Sequence, residues 1–141
     1  MGEQHIDIKA IFERAGGYST SCLPFIRDGL AHTVEMVHGR PETELMALED
    51  EDRHVSGHQL CIGLRDYAIE RYGLMAKSVL NKWGIQSTRD FGHIIFAMVD
   101  AELMRKTDED TIDDFDGVFE FADAFAQPRE LAETAPDTPA V

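Results

Sequence analysis

Two histidines four residues apart, His54 and His58, would place two imidazoles on one face of a helix, the first half of a zinc site. His54, however, precedes Ser56, which reads as a helix cap, so the two do not share a helical face. No third ligand follows at a fixed spacing, and the pair reads as an N-terminal packing residue and a solvent-facing one. The aspartates at 108, 110, 113, 114 and 116 invite a calcium reading. An EF-hand loop needs oxygens at positions 1, 3 and 5 and a glycine at 6. From Asp108 those last positions are Ile112 and Asp113, and from Asp114 position 5 is Val118, so neither register fits. A solvated acidic face is the better reading. The candidate nucleophiles are Ser56, Ser78, Ser87, Cys22 and Cys61, each of which would need an adjacent base and an orienting group. Ser56 and Ser87 have capping roles instead, and Ser78 has no assignable base. Gly16-Gly17 is not followed by the Lys-Ser/Thr of a phosphate loop. Trp83 and Phe91 could stack nucleobases, but their helical positions point to core packing. The sequence therefore implies no enzyme, no metal and no cofactor.

The elements around these residues are helical. Ile8, Ile11, Phe12 and Ala15 recur at helical spacing within Ile6 to Ala15, and Gly16-Gly17 ends that segment. Ser21 is placed to cap a second helix from about Cys22 to His38, with Leu23, Ile26, Leu30, Val34 and Val37 on one face. Pro24 is harmless in the first turn, and Gly39 and Pro41 stop the helix. Residues 41–52 are crowded with acids and read as a solvated connector. Ser56 with Gln59, and Ser87 with Asp90, match capping boxes. Between and after them lie three helices. The first carries Leu60, Cys61, Leu64, Ala68 and Tyr72 on one face and ends at Gly73. The second, Leu74 to Trp83, has Met75, Val79, Leu80 and Trp83 inward. The third starts at Ser87 and turns Phe91, Ile94, Ile95, Met98 and Val99 inward, closing with Leu103.

Short turns force these three to pack. The pair 74–83 and 87–103 has helix-turn-helix dimensions. A short β-hairpin near 104–113 would complete a winged helix, although that segment reads equally as loop. Phe115, Val118, Phe119, Phe121 and Phe125 are expected to anchor an acidic arm, 108–123, onto the domain. The fold expected is mostly α: one compact helical domain over 1–125, ordered most firmly at 53–106, with a helix-turn-helix or winged-helix-like centre. Residues 126–141, proline-rich and poor in bulk, are expected to be disordered.

One string within this centre resembles a known family. It runs Arg53-His54-Val55-Ser56-Gly57, then Gly73-Leu74-Met75-Ala76-Lys77-Ser78-Val79-Leu80-Asn81, Trp83-Gly84-Ile85, and Ser87-Thr88-Arg89-Asp90-Phe91-Gly92. With Leu103 to Thr107 and Asp114-Phe115 it is similar to the Minf-type family of small uncharacterised bacterial proteins. The resemblance covers residues 20–125 and is specific over 53–107. His58 and His93 depart from it, standing where that family carries acidic or amide residues. The resemblance implies no activity, substrate or cofactor.

Charge narrows the partners. The chain of 141 residues carries 27 acids and 13 bases, a net of −14, which repels nucleic acid and anionic membranes at long range. The excess is uneven. Residues 1–52 hold 4 bases and 11 acids, 53–106 hold 8 and 5, and 107–141 hold 1 and 11. The centre is mildly basic between acidic flanks. Residues 87–106 are neutral overall, with only Arg89 at the end that would face bases, so DNA or RNA reading is disfavoured. Arg53, His54, Arg65, Arg71, Lys77, Lys82, Arg89, Arg105 and Lys106 make up the candidate interaction surface. No apolar run reaches the ~18–20 residues of a membrane span, the N-terminus lacks a signal peptide's pattern, and Cys22 and Cys61 match no zinc or redox spacing. The protein reads as cytoplasmic. Its expected role is a non-enzymatic interaction domain for a protein with a basic surface. The second reading is a nucleic-acid-binding regulator of winged-helix type, its core shielded by the acidic arm.

Overall fold

Both capping boxes form. The Ser56 hydroxyl accepts the Gln59 amide at 3.1 Å while the Gln59 side chain accepts the Ser56 amide at 2.9 Å. Ser87 and Asp90 repeat the exchange, so each helix start satisfies its own orphan donors. The computed structural model describes residues 7–39, 54–105 and 110–126. Its helices are α1 (Ile8–Ala15), α2 (Leu23–His38), α3 (Gly57–Tyr72), α4 (Ala76–Lys82), α5 (Thr88–Asp100) and α6 (Phe121–Ala124), with 3-10 turns at Thr20–Cys22, Gly73–Met75 and Ile112–Phe115. The described residues are mostly helical and contain no strand. The acidic connector falls within 40–53 and the expected disordered tail, Ala126 apart, within 127–141. Both lie outside the described residues.

The widest interface joins α2 to α3, which run antiparallel. Phe25 meets Tyr67 and Tyr72 near one end, and the His38 ring donates to the His54 carbonyl at the other, at 2.7 Å. Glycines set the crossing distance. A Cβ on Gly63 would lie 1.8 Å from Thr33 Oγ1, and one on Gly29 would lie 2.4 Å from Leu64 Cδ2. The buried Thr33 hydroxyl is satisfied within its own helix by the Gly29 carbonyl at 2.7 Å. Ser21 does not cap α2. The 3-10 turn before the helix absorbs it, Ser19 caps that turn, and α2 starts without a side-chain cap.

Helix α4 starts two residues later than the sequence indicates, because Gly73 at φ +53° opens a 3-10 turn first. That turn swings Leu74 and Met75 outward, 61% and 60% exposed, so Met75 is not a core residue. Trp83 and Phe91 do pack inward, Trp83 against Phe25 and Tyr72 and Phe91 against Phe121. Helix α5 turns Phe91, Ile94, Ile95 and Met98 into the core as expected but stops at Asp100. Glu102 takes a left-handed conformation, φ +62°. The Leu103 and Glu102 amides donate to the carbonyls of Met98 and Val99 at 2.8 and 2.9 Å. This is the Schellman ending, usually built on glycine. It leaves Leu103 44% exposed at the lip of the core rather than inside it.

Helices α4 and α5 have helix-turn-helix spacing along the chain, and both contact α3. The principal contacts of α4 are with α3, and those of α5 are with α1, α3 and the 112–115 turn. In the 104–113 segment, Met104, Arg105 and Asp110 to Asp113 are not in strands. Residues 106–109 lie outside the described set.

Candidate functional site

The segment 110–126 docks through its aromatic side chains. Phe115, Phe121 and Phe125 are buried members of the core, and Phe119 stacks on Phe121 at 5.7 Å between centroids. Phe115 sits between two helical glycines: a Cβ on Gly57 or on Gly92 would come within 2.7 to 2.8 Å of its ring. Thr88, the first residue of α5 and fully buried, holds the segment by its backbone. Its hydroxyl donates to the Phe115 carbonyl at 2.6 Å and accepts from the Val118 amide at 3.3 Å. The sequence reading passed over Thr88, Gly57 and Gly92. The available signal was Gly92, a glycine inside a helix, which commonly marks the close approach of another group; Gly57, at the first helical position, carries no such signal.

Once docked, the segment lies on cations of the centre. Arg89 pairs with Asp116 and, at 4.0 Å, with Asp113. Its pKa is raised above the ordinary value, chiefly by the hydrogen bond to Asp116. The His54 ring lies 3.1 Å from Asp110. Arg65, which pairs with Asp66 at 3.0 Å, also has its guanidinium 5.8 Å from the centre of the Phe119 ring. Three of the nine candidate residues are thus gathered under one segment. Arg71, Lys77, Lys82 and Arg105 stand exposed, away from any ion pair among the described residues. Arg53 and Lys106 lie outside those residues.

A second cluster joins the loop before α2 to the start of α5. The Tyr18 hydroxyl donates to Asp90 Oδ1 at 2.5 Å and lies 3.0 Å from His93 Nδ1. With the phenol's one proton directed to Asp90, the network assigns a proton to Nδ1, which donates to the phenol oxygen. The other Asp90 oxygen accepts the amides of Gln86 and Ser87. Burial, reinforced by Asp90, pushes the Tyr18 pKa far above its ordinary value. The phenol stays protonated at neutral pH and serves as a clasp rather than a base.

The remaining candidates are dispersed. Burial raises both Cys22 and Cys61 to about 12, which keeps them as thiols, while Ser78 and His58 face solvent. Among the described residues no three His, Cys, Asp or Glu side chains converge as a metal-binding group, and no helix is long and apolar enough to cross a membrane. No protein-family model, curated protein or solved structure matches the chain.

Proposed function

We propose that this protein is a non-enzymatic, cytoplasmic interaction domain that presents an acidic face to a partner protein with a basic surface. The observation that supports it best is the pairing of Arg89 with Asp113 and Asp116. Arg89 is the one cation at the N-terminal end of α5, where a helix-turn-helix reader would meet its DNA. With the segment docked, that end presents the Asp113 and Asp116 carboxylates beside Arg89. Affinity purification with the full chain at low salt should recover a partner with a basic surface. The Asp113→Asn/Asp116→Asn chain should lose it, and added salt should weaken it. Recovery of no such partner refutes the reading.

The second reading, a nucleic-acid-binding regulator whose acidic arm shields the core, draws on the segment's placement over His54, Arg65 and Arg89. The burial of Phe115 weighs against it, because a removable shield should not also be core. Deleting the segment would open the core, so charge neutralisation is the cleaner test. The Asp113→Asn/Asp116→Asn chain should bind duplex DNA more tightly in a low-salt shift assay. No gain there rules this reading out.

A further inference from the structure

A groove of about 470 Å³ opens between α2 and the C-terminal end of α5. Leu23, Arg27 and Leu30 form one wall, spaced four and three residues apart and so sharing a face of α2. Met98, 1% exposed, lies at its floor, with Leu103 and Met104 on the far side. The far wall exists because of the left-handed turn at Glu102, which brings Leu103 back beside Met98 instead of continuing the helix. Five of the six lining side chains are apolar, and two are methionines, whose unbranched thioethers conform to irregular ligands. The sixth, Arg27, is the only ionisable one and makes no ion pair among the described residues.

We propose that this groove binds a single-chain aliphatic carboxylate, with the tail along Leu23, Leu30, Met98 and Leu103 and the head on Arg27. The volume is on the scale of small-molecule sites, roughly 300–1,000 Å³, but the groove is open to solvent along one side, so the tail is covered on one side only. A planar guanidinium at the edge of an apolar cleft matches a carboxylate by paired hydrogen bonds. The charge is selective here: in a chain with a net of −14, an unpaired cation beside an apolar surface marks a local preference for an anion. This site is separate from the acidic face proposed for the protein partner and does not depend on it.

The test uses the full chain and four probes below their micelle-forming concentrations: octanoate, dodecanoate, dodecylamine and dodecanol. Binding is read by displacement of anilinonaphthalene sulfonate fluorescence and mapped by amide shift perturbation. Dodecanoate should bind, with shifts at residues 23–30 and 98–104, and octanoate more weakly, by at most about fourfold per methylene lost, the value for full burial. Dodecylamine should bind at least tenfold more weakly than dodecanoate. Arg27→Gln, on an exposed position that leaves the fold intact, should weaken dodecanoate about tenfold and leave dodecanol unchanged. Leu30→Phe, which fills the groove, should remove both. Absence of binding, equal binding of amine and carboxylate, or indifference to Arg27→Gln overturns the proposal. So does a chain that sediments as a dimer and becomes monomeric on Leu103→Ser, because a second copy would then be the occupant.

Discussion

Replacing Phe115 by alanine asks whether the acidic segment belongs to the core or merely rests on it. The side chain is 3% exposed and touches both Gly57 and Gly92, and it meets Phe96 edge-on at 6.1 Å. Its two helical glycines have no side chains with which to refill the space, so the cavity left by Phe115→Ala should persist. A truncation of this kind typically costs about 3–5 kcal/mol, a large part of the roughly 5–15 kcal/mol that holds a domain together. With a urea slope of about 2 kcal/mol per molar, the unfolding midpoint should fall by roughly 1.5–2.5 M. Helical circular dichroism against urea reads it, the slope staying constant if only stability has changed. Asp116→Asn is the control. It removes an ion pair whose side chains are 44% and 46% exposed, and exposed pairs contribute little, so its midpoint should barely move. A Phe115→Ala shift below about 0.5 M, or an Asp116→Asn shift of equal size, would refute the argument that packing rather than charge holds the segment.

Gly63→Ala places a methyl 1.8 Å from Thr33 Oγ1 and 2.6 Å from its Cβ. Overpacking at ~1–3 kcal/mol, against up to ~1 kcal/mol of regained helix propensity, should leave a net loss. Adding Thr33→Ala should recover part of it, measured as a non-additive double-mutant cycle in urea. Glu102→Gly should raise stability by up to about 1 kcal/mol, since glycine takes the left-handed conformation without a Cβ penalty, and a fall in the midpoint would contradict this. Stability should decline above pH 9. The thiols of Cys22 and Cys61 stay protonated in the fold to about 12 against an ordinary value of 9. Below pH 9 both states keep the protons. Between 9 and 12 only the unfolded chain sheds them, at about 1.4 kcal/mol per pH unit for each thiol. Cys61→Ala should reduce that slope, and an unchanged slope would exclude the thiols as its source.

What the sequence made legible was local. Ser56 with Gln59 and Ser87 with Asp90 mark helix starts because the partners lie three residues apart, and the core face of α5 is written in the spacing of Phe91, Ile94, Ile95 and Met98. What escaped depends on distant residues. Met75 has the character of a core residue, but the turn at Gly73 rotates it outward. Leu103 continues the apolar pattern of α5, but the left-handed Glu102 ends the helix before reaching it. Helix-turn-helix spacing between α4 and α5 is equally local, and spacing alone does not choose a packing partner: α5 lies chiefly against α1, α3 and the 112–115 turn. In the sequence Asp90 shows only as half of a capping box. Its second role, the Tyr18 clasp, joins residues 72 positions apart and has no local signature.

The same distinction changes what the charge pattern means. Counted along the chain, a basic centre and an acidic flank suggest two surfaces, one for polyanions and one for polycations. Folded, they overlap. Residues 54–105 hold 6 bases and 5 acids, and the segment 110–126 docked on them adds 6 acids and no base. The combined surface carries an excess of acids, and Asp113 and Asp116 stand beside the exposed Arg89 and pair with it. Of the four cations left over, Arg71, Lys77 and Lys82 lie from the end of α3 through α4, beside the exposed Leu74 and Met75, and Arg105 follows the end of α5. A DNA reader would need its cations along α5, and an anionic membrane would need them to outweigh the surrounding carboxylates. On the reading proposed above, a basic protein surface needs only the carboxylates of the docked segment, of which Asp113 and Asp116 are exposed.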